Sequence, residues 1–267
     1  MTAAVPEAPA APAPFAPAPG AAPMGRMIAA QTAMETRMLL RNGEQLTVTL
    51  VIPLALLAMF SLEPLVSVGG GSRIDFLAPG VIALAVMSTA FTSQAIATGF
   101  ERRYGVLKRL GATPLSRPGL IAAKTVTVIA VELLQGALIL IVAVAIGWRP
   151  DASPSAVVVV PLLILLGTAA FSGLALLMAG TLRAEATLAG ANLVYIVLLG
   201  VGGVIFPLAK FPAGARPVLE LLPTGALSTG LRSVLQQGSA FPVGNAVTLL
   251  IWAAVAITLA ARTFRWE

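Results

Sequence analysis

The 267-residue chain contains no cysteine and no histidine. That removes thiolate and imidazole metal sites, cysteine nucleophiles, disulfides and any Ser-His relay. Lysine is nearly absent as well: Lys108, Lys124 and Lys210 are the whole set, and each follows Leu or Ala. None completes the Gly-Lys-Ser/Thr end of a phosphate-binding loop, so the chain carries no recognisable ATPase of its own. The two aspartates, Asp75 and Asp151, both fall between long apolar runs. An intramembrane aspartyl pair is therefore excluded along with the serine and zinc proteases. Charge of either sign is scarce: 10% of residues are charged and 58% are hydrophobic, where soluble domains have about a quarter and about a half. With a mean hydropathy of +0.93, the composition is that of an integral membrane protein. Its net charge of +6 needs no nucleic acid, because cytoplasmic loops of membrane proteins gather Lys and Arg.

What is present is long apolar runs. A spanning helix needs roughly 20 mostly apolar residues, and six segments qualify, at about 46–67, 77–99, 119–146, 156–180, 187–208 and 244–262. Glu63-Pro64 interrupts the first near its end, and Gly200, Gly202 and Gly203 punctuate the fifth. The expected fold is all-α: six transmembrane helices, an N-terminal interfacial helix, a cytoplasmic helix after span two and re-entrant half-helices on the outer side before the last span. With the N-terminus inside, twelve Lys and Arg residues lie on the cytoplasmic side and five (Arg73, Arg149, Lys210, Arg216, Arg232) outside. This asymmetry predicts that both termini are cytoplasmic. The preference for Arg over Lys and the wealth of Ala suit a GC-rich bacterial genome, and hence a bacterial plasma (inner) membrane.

Residues 1–25 are rich in Ala and Pro and lack the charged start and apolar core of a signal peptide, so they read as a disordered tail. The membrane domain is expected over 26–267. At its start, Met27, Ala30, Met34 and Met38 share one helical face, whereas Glu35, Arg37 and Arg41 lie elsewhere. An interfacial helix and a plain positive-inside anchor both fit this pattern. Between spans five and six, residues 209–243 stay apolar, with Pro207, Pro212, Pro217 and Pro223 breaking the stretch into short helices. Irregular backbone at membrane depth survives only against protein or water, which favours a re-entrant pair over a surface-lying helix.

The charged residues are few enough to take singly. Glu132 falls mid-span, with Gln135 one turn on. A charged side chain there costs roughly 2.5–3.5 kcal/mol on insertion scales, so it must face protein or a water-filled cavity. Two roles stay open: Glu132 lines a transport path favouring cationic cargo, or it pairs across helices with a polar group such as Asn192. Arg73 and Asp75 are expected to form an ordinary rim pair worth less than about 1 kcal/mol. The stretches Gly167 to Gly173 and Gly200 to Gly203 suit close helix contacts, within the chain or at a dimer seam.

The densest cluster is Glu101-Arg102-Arg103-Tyr104-Gly105-Val106-Leu107-Lys108-Arg109-Leu110, between spans two and three. Drawn as one helix, Glu101, Arg102, Gly105, Lys108 and Arg109 fall on one side, and Tyr104, Val106, Leu107 and Leu110 on the other. Gly111 and Pro114 then end it. Continued by Thr113-Pro114-Leu115-Ser116, this run resembles the loop after span two in type-2 ABC export permeases. A second likeness is Leu221-Leu222-Pro223-Thr224 with Arg232 nine residues after the proline. Val106 departs from the pattern, which often has Thr or Ser there. Together the motifs resemble the drug- and antibiotic-export members of that family over about 26–265.

The resemblance implies a separate ABC ATPase subunit, which binds the ATP, and a second permease subunit, so that a homodimer or heterodimer forms the path. Glu101, Arg102, Arg103, Tyr104, Gly105, Lys108 and Arg109 would form the ATPase-coupling helix, with Leu107, Leu110 and Pro114 setting its pose. Charge reversal at Arg102 with Arg109 is expected to uncouple hydrolysis from transport. Pro223 and Arg232 would mark the re-entrant region. The cargo implied is amphiphilic: a drug, an antibiotic or a lipid-like or glycolipid molecule. The rival on the residues alone is an ion-coupled secondary transporter using Glu132 as its relay. Against it, such folds usually pair broken helices in two halves, and the sequence shows one such region.

Overall fold

A computed structural model of the protein describes residues 20–43, 47–62 and 72–263. Most of the Ala/Pro tail, the Glu63-Pro64 break and Arg265 lie outside them. Helix α1 covers Met24–Arg41. A π-helical turn, Thr47–Val51, runs into α2, Ile52–Leu62. Then come α3, Arg73–Arg103; a short α4, Val106–Gly111; α5, Arg117–Ile146; α6, Ala156–Thr181; and α7, Ala184–Val201. After an irregular stretch follow α8, Arg216–Leu221, α9, Pro223–Gln236, and α10, Val243–Thr263.

Five of these, α3, α5, α6, α7 and α10, are long and apolar enough to cross a membrane; the first expected span holds a shorter apolar helix, Thr49–Ser61. The ends follow local chemistry. Ser116 caps α5 by accepting the Gly119 N–H at 3.2 Å, and Gly147 closes it at φ +108°, the usual division between a polar N-cap and a left-handed C-terminal glycine. The fifth expected span stops seven residues early, at Val201 rather than 208. Gly202 ends the helix and Gly203 turns back at φ +68°, a conformation glycine adopts without penalty.

Helix α3 is the hub. Its most apolar window is 83% buried, against 28–39% for the other four. Ala78, Gly80, Ala83, Ala85, Ser88, Ala90, Ser93, Ala95 and Gly99 are small on every side, so α2, α5, α6, α7 and α9 all pack directly on it. The outer helices instead turn large apolar side chains outward, such as Leu133 at 70%, Val157 at 80% and Ile196 at 65% exposure. Surfaces of this kind are stable against lipid tails, not water. Gly167 and Gly173 serve packing within the chain: a Cβ on Gly167 would lie 2.8 Å from Leu227, and one on Gly173 2.9 Å from Ala256, whereas one on Gly200 would meet nothing within 4 Å.

The stretch before the last span holds two short helices, α8 and α9, that differ in burial. Helix α9 is buried along most of its length, among α3, α6 and α10. Helix α8 has no buried residue. Side chains from α9 and α10 satisfy the irregular backbone around them. Ser228 donates to the Gly202 carbonyl at 2.8 Å, Asn245 to Ala226 at 2.9 Å, and the Trp252 indole to Leu221 at 2.8 Å. The Arg73–Asp75 rim pair does not form. Two residues apart on one helix, the two side chains point to different sides. Asp75 sits instead in the first turn of α3, where its charge complements the helix dipole.

Candidate functional site

The run 101–110 is not one helix. Arg103 ends α3, Tyr104 leaves helical geometry, and Gly105 adopts φ +69° before α4 begins at Val106. The Gly105 N–H donates to the Arg102 carbonyl at 3.1 Å, closing α3, and the Gly105 carbonyl accepts from Arg109 at 3.1 Å, opening α4. At the far end Thr113 donates its backbone N–H and its hydroxyl to the Leu110 carbonyl, at 3.0 and 2.6 Å, and Pro114 follows. A Cβ at Gly105 would meet nothing within 4 Å. Gly105→Ala is therefore expected to cost about 1 kcal/mol through backbone conformation alone. Gly105→Asn should cost clearly less, as thermal unfolding in detergent will register.

The break divides the charges into two groups. Those before it are bonded within the chain, Arg103 at the surface. Arg102 donates to the Gly180 carbonyl at 2.6 Å and to that of Leu182, capping the C-terminus of α6. Arg103 pairs with Glu185 in the first turn of α7. Glu101 accepts from Lys124 of α5 at 2.7 and 3.0 Å, and Lys124 also reaches Glu35 of α1 at 3.3 Å. The end of α3 is thus pinned to four other helices. Glu101 and Arg102, expected on a partner-facing surface, are engaged inside the chain.

The charges beyond the break, and Tyr104 at it, are exposed. Tyr104 is 64% exposed, stacked on Phe100 with ring centroids 6.0 Å apart and with the Arg103 guanidinium 5.8 Å from its centre. Lys108, Arg109 and Pro114 are exposed, Leu110 is half-buried, and Leu107 is fully buried and anchors α4. The result is a compact basic knuckle on a braced stem.

Helix α1 contributes to the brace in a way its periodicity did not predict. Its Ala30, Met34 and Met38 face outward, while Gln31, Thr32 and Glu35 lie against α5. Thr32 donates to the Ala123 carbonyl at 3.3 Å, and Thr127 to the Thr32 carbonyl at 3.5 Å. The exposed methionine face suits an interfacial helix.

A second polar group lies halfway along the bundle. Glu132 accepts from Thr168 of α6 at 2.7 Å, and its other carboxylate oxygen is buried without a partner. Gln135 accepts from Thr89 of α3 at 2.8 Å and donates to the Thr49 carbonyl. Asn192, the partner suggested for Glu132, is exposed on α7; the structure substitutes Thr168. At the opposite end from the knuckle, Pro223 starts α9, and Arg232 is 7% exposed. Its guanidinium donates to the carbonyls of Phe76 at 3.0 Å and Val204 at 3.2 Å and lies 3.8 Å over the Phe76 ring.

Lys124, Glu35, Glu185, Thr168 and Thr89 are the contributors that sequence reasoning missed. One of them left a signal: Lys124 lies six residues inside an apolar span, where a cation needs an anionic partner.

A buried small-residue helix that runs into an exposed basic turn, among five helices long and apolar enough to cross a membrane, defines a multi-pass membrane protein. Residues 28–236 match the family model for the ABC-2 type transporter, and the chain belongs to that family. It is thereby a membrane component of a transporter, of a kind that works with an ATPase partner. No curated protein matches the chain significantly.

Proposed function

We propose that the protein is the permease subunit of an ATP-driven exporter in a bacterial plasma membrane, with both termini cytoplasmic. Two permease subunits and two ATPase subunits would make the working unit, and the cargo would be amphiphilic. The observation that carries this reading is the knuckle itself. Tyr104, Lys108, Arg109 and Pro114 are exposed, while Glu101, Arg102 and Arg103 fasten the same segment to α5, α6 and α7. A push on the knuckle is therefore delivered to the central helix and its neighbours together. The chain has no phosphate-binding loop, so hydrolysis would belong to the partner. The predominantly apolar outward surface and the few fixed charges inside suit cargo that is itself largely apolar.

The structure changes which variant tests this. Arg102 caps α6, so its reversal would unsettle the fold and report nothing about docking. Lys108→Glu with Arg109→Glu changes only exposed side chains, and such substitutions usually alter stability by less than about 0.5 kcal/mol. The doubly substituted chain is expected to insert and to unfold at the wild-type temperature, yet to lose the ATPase that co-purifies with the wild type from its native membrane. Retention of full ATPase activity by that variant refutes docking through the knuckle. If a well-folded wild-type preparation carries no ATPase, the ion-coupled carrier that uses Glu132 gains the ground.

A further inference from the structure

The interior polar group around Glu132 plays no part in docking, yet it has the composition of a binding site. Glu132 is 8% exposed, and one of its two oxygens has no hydrogen-bond partner. That oxygen belongs to a side chain lining a cavity of about 20 Å³ between α3, α5 and α6, walled by Ile82, Val86, Gln135, Gly136, Ile139 and Ile164. A cavity of this size holds one water or one ammonium-sized group. The ion pairs among the described residues join Arg103 to Glu185 and Lys124 to Glu35 and Glu101. No Lys or Arg of the described chain therefore neutralises Glu132. Thr168 supplies one hydrogen bond, and the Gln135 amide is already occupied by Thr89 and Thr49.

We infer that this cavity binds the ammonium group of an organic cation whose remaining body is apolar. One free carboxylate oxygen among isoleucine and valine side chains recognises a single N–H donor carried on hydrocarbon. A hard metal cation would require about six oxygen ligands, and the walls do not supply them. The approach runs past Gly136. That residue is half-exposed, and a Cβ built on it meets nothing within 4 Å. The cavity admits the charged tip, and the apolar body rests outside along the α5 face. Glu132 lies near the middle of α5, so a cargo held there would be held at mid-membrane depth. The inference deepens the transport reading and rests on it for the site's purpose, although the binding itself can be measured on the chain alone.

The test is equilibrium binding of radiolabelled 1-aminoadamantane to the purified full-length chain in lipid nanodiscs, with 1-adamantanol as the neutral isostere. The amine should bind about tenfold or more tightly than the alcohol, the difference that one charge-assisted hydrogen bond makes. Glu132→Gln should erase that preference. Gly136→Leu should weaken amine binding while leaving the unfolding temperature unchanged, because it obstructs the mouth without entering packed space. Equal binding of amine and alcohol by the wild type overturns the inference, as does an undiminished amine preference in a folded Glu132→Gln protein. Co-purification of the ATPase, scored on the same Glu132→Gln preparation, reports separately on the transport reading: its loss from wild type and variant alike refutes the exporter while leaving the amine result standing.

Discussion

Lys124→Met is expected to be the most damaging single substitution at the knuckle end of the molecule. Lys124 lies between two carboxylates, 2.7 Å from Glu101 and 3.3 Å from Glu35. The three side chains come from α3, α1 and α5 and are largely withdrawn from solvent, with Lys124 9% and Glu35 13% exposed. Removing the lysine leaves two buried carboxylates facing each other without a counter-charge. Breaking a buried pair from one side costs about 3–5 kcal/mol, and the like-charge repulsion adds to that. Glu101→Gln should cost less, and Glu35→Gln least, since its contact with the ammonium is the longer one. Adding Glu35→Gln and Glu101→Gln to Lys124→Met should recover most of the loss. Thermal unfolding in detergent, read by tryptophan fluorescence, gives the order directly. A Lys124→Met protein as stable as the wild type would show that the triad does not hold the three helices together.

Gly80→Val is expected to have the second large effect, at the end of α3 away from Glu101. A Cβ at position 80 would stand 2.6 Å from the Arg232 guanidinium and 2.6 Å from the Val204 carbonyl oxygen. A flexible side chain could swing away, but the Val204 carbonyl is backbone and accepts the hydrogen bond that Arg232 donates. The added group must therefore push α9 and the chain after α7 away from α3. Overpacking of this sort costs about 1–3 kcal/mol, and a buried guanidinium parted from its acceptors raises the cost further. Limited proteolysis should cut the 202–222 segment faster in Gly80→Val than in the wild type. Gly136→Leu, on a glycine with open space around it, is the control that should behave normally. If the two variants are digested at the same rate, the close approach of Arg232 to Gly80 does not hold the outer elements in place.

Both predictions concern α3, whose apolar run marks it as a span but does not mark it as the hub. The span is expected at 77–99 and found within Arg73–Arg103. The spans expected at 119–146, 156–180 and 244–262 lie within two residues of α5, α6 and α10 at either end. Apolar length, Ser116 before Pro118, and Gly147 after the run are local signals, and local signals survive in any context. The fifth expected span overruns its helix because Gly202 and Gly203 read equally well as packing glycines. Such residues are tolerated inside membrane helices, and only the backbone trace shows the chain turning at Gly203.

The candidate site divides in the same way. Composition and motif determined that this is a helical membrane protein, and that the stretch from Glu101 to Pro114 is its most informative segment. Which charges in that segment face outward depended on Gly105. A left-handed glycine and a helical one are identical in sequence, yet the choice sends Arg102 under α6 and leaves Lys108 and Arg109 exposed. The partners of Lys124 and Glu132 were settled only by tertiary structure as well, because Glu35, Glu101 and Thr168 are remote from them in the chain. A charge withdrawn from water needs a polar counterpart, and the sequence states that requirement without naming the counterpart. The reason is physical: burial in lipid is enforced residue by residue, whereas pairing is set by which helices come to lie side by side.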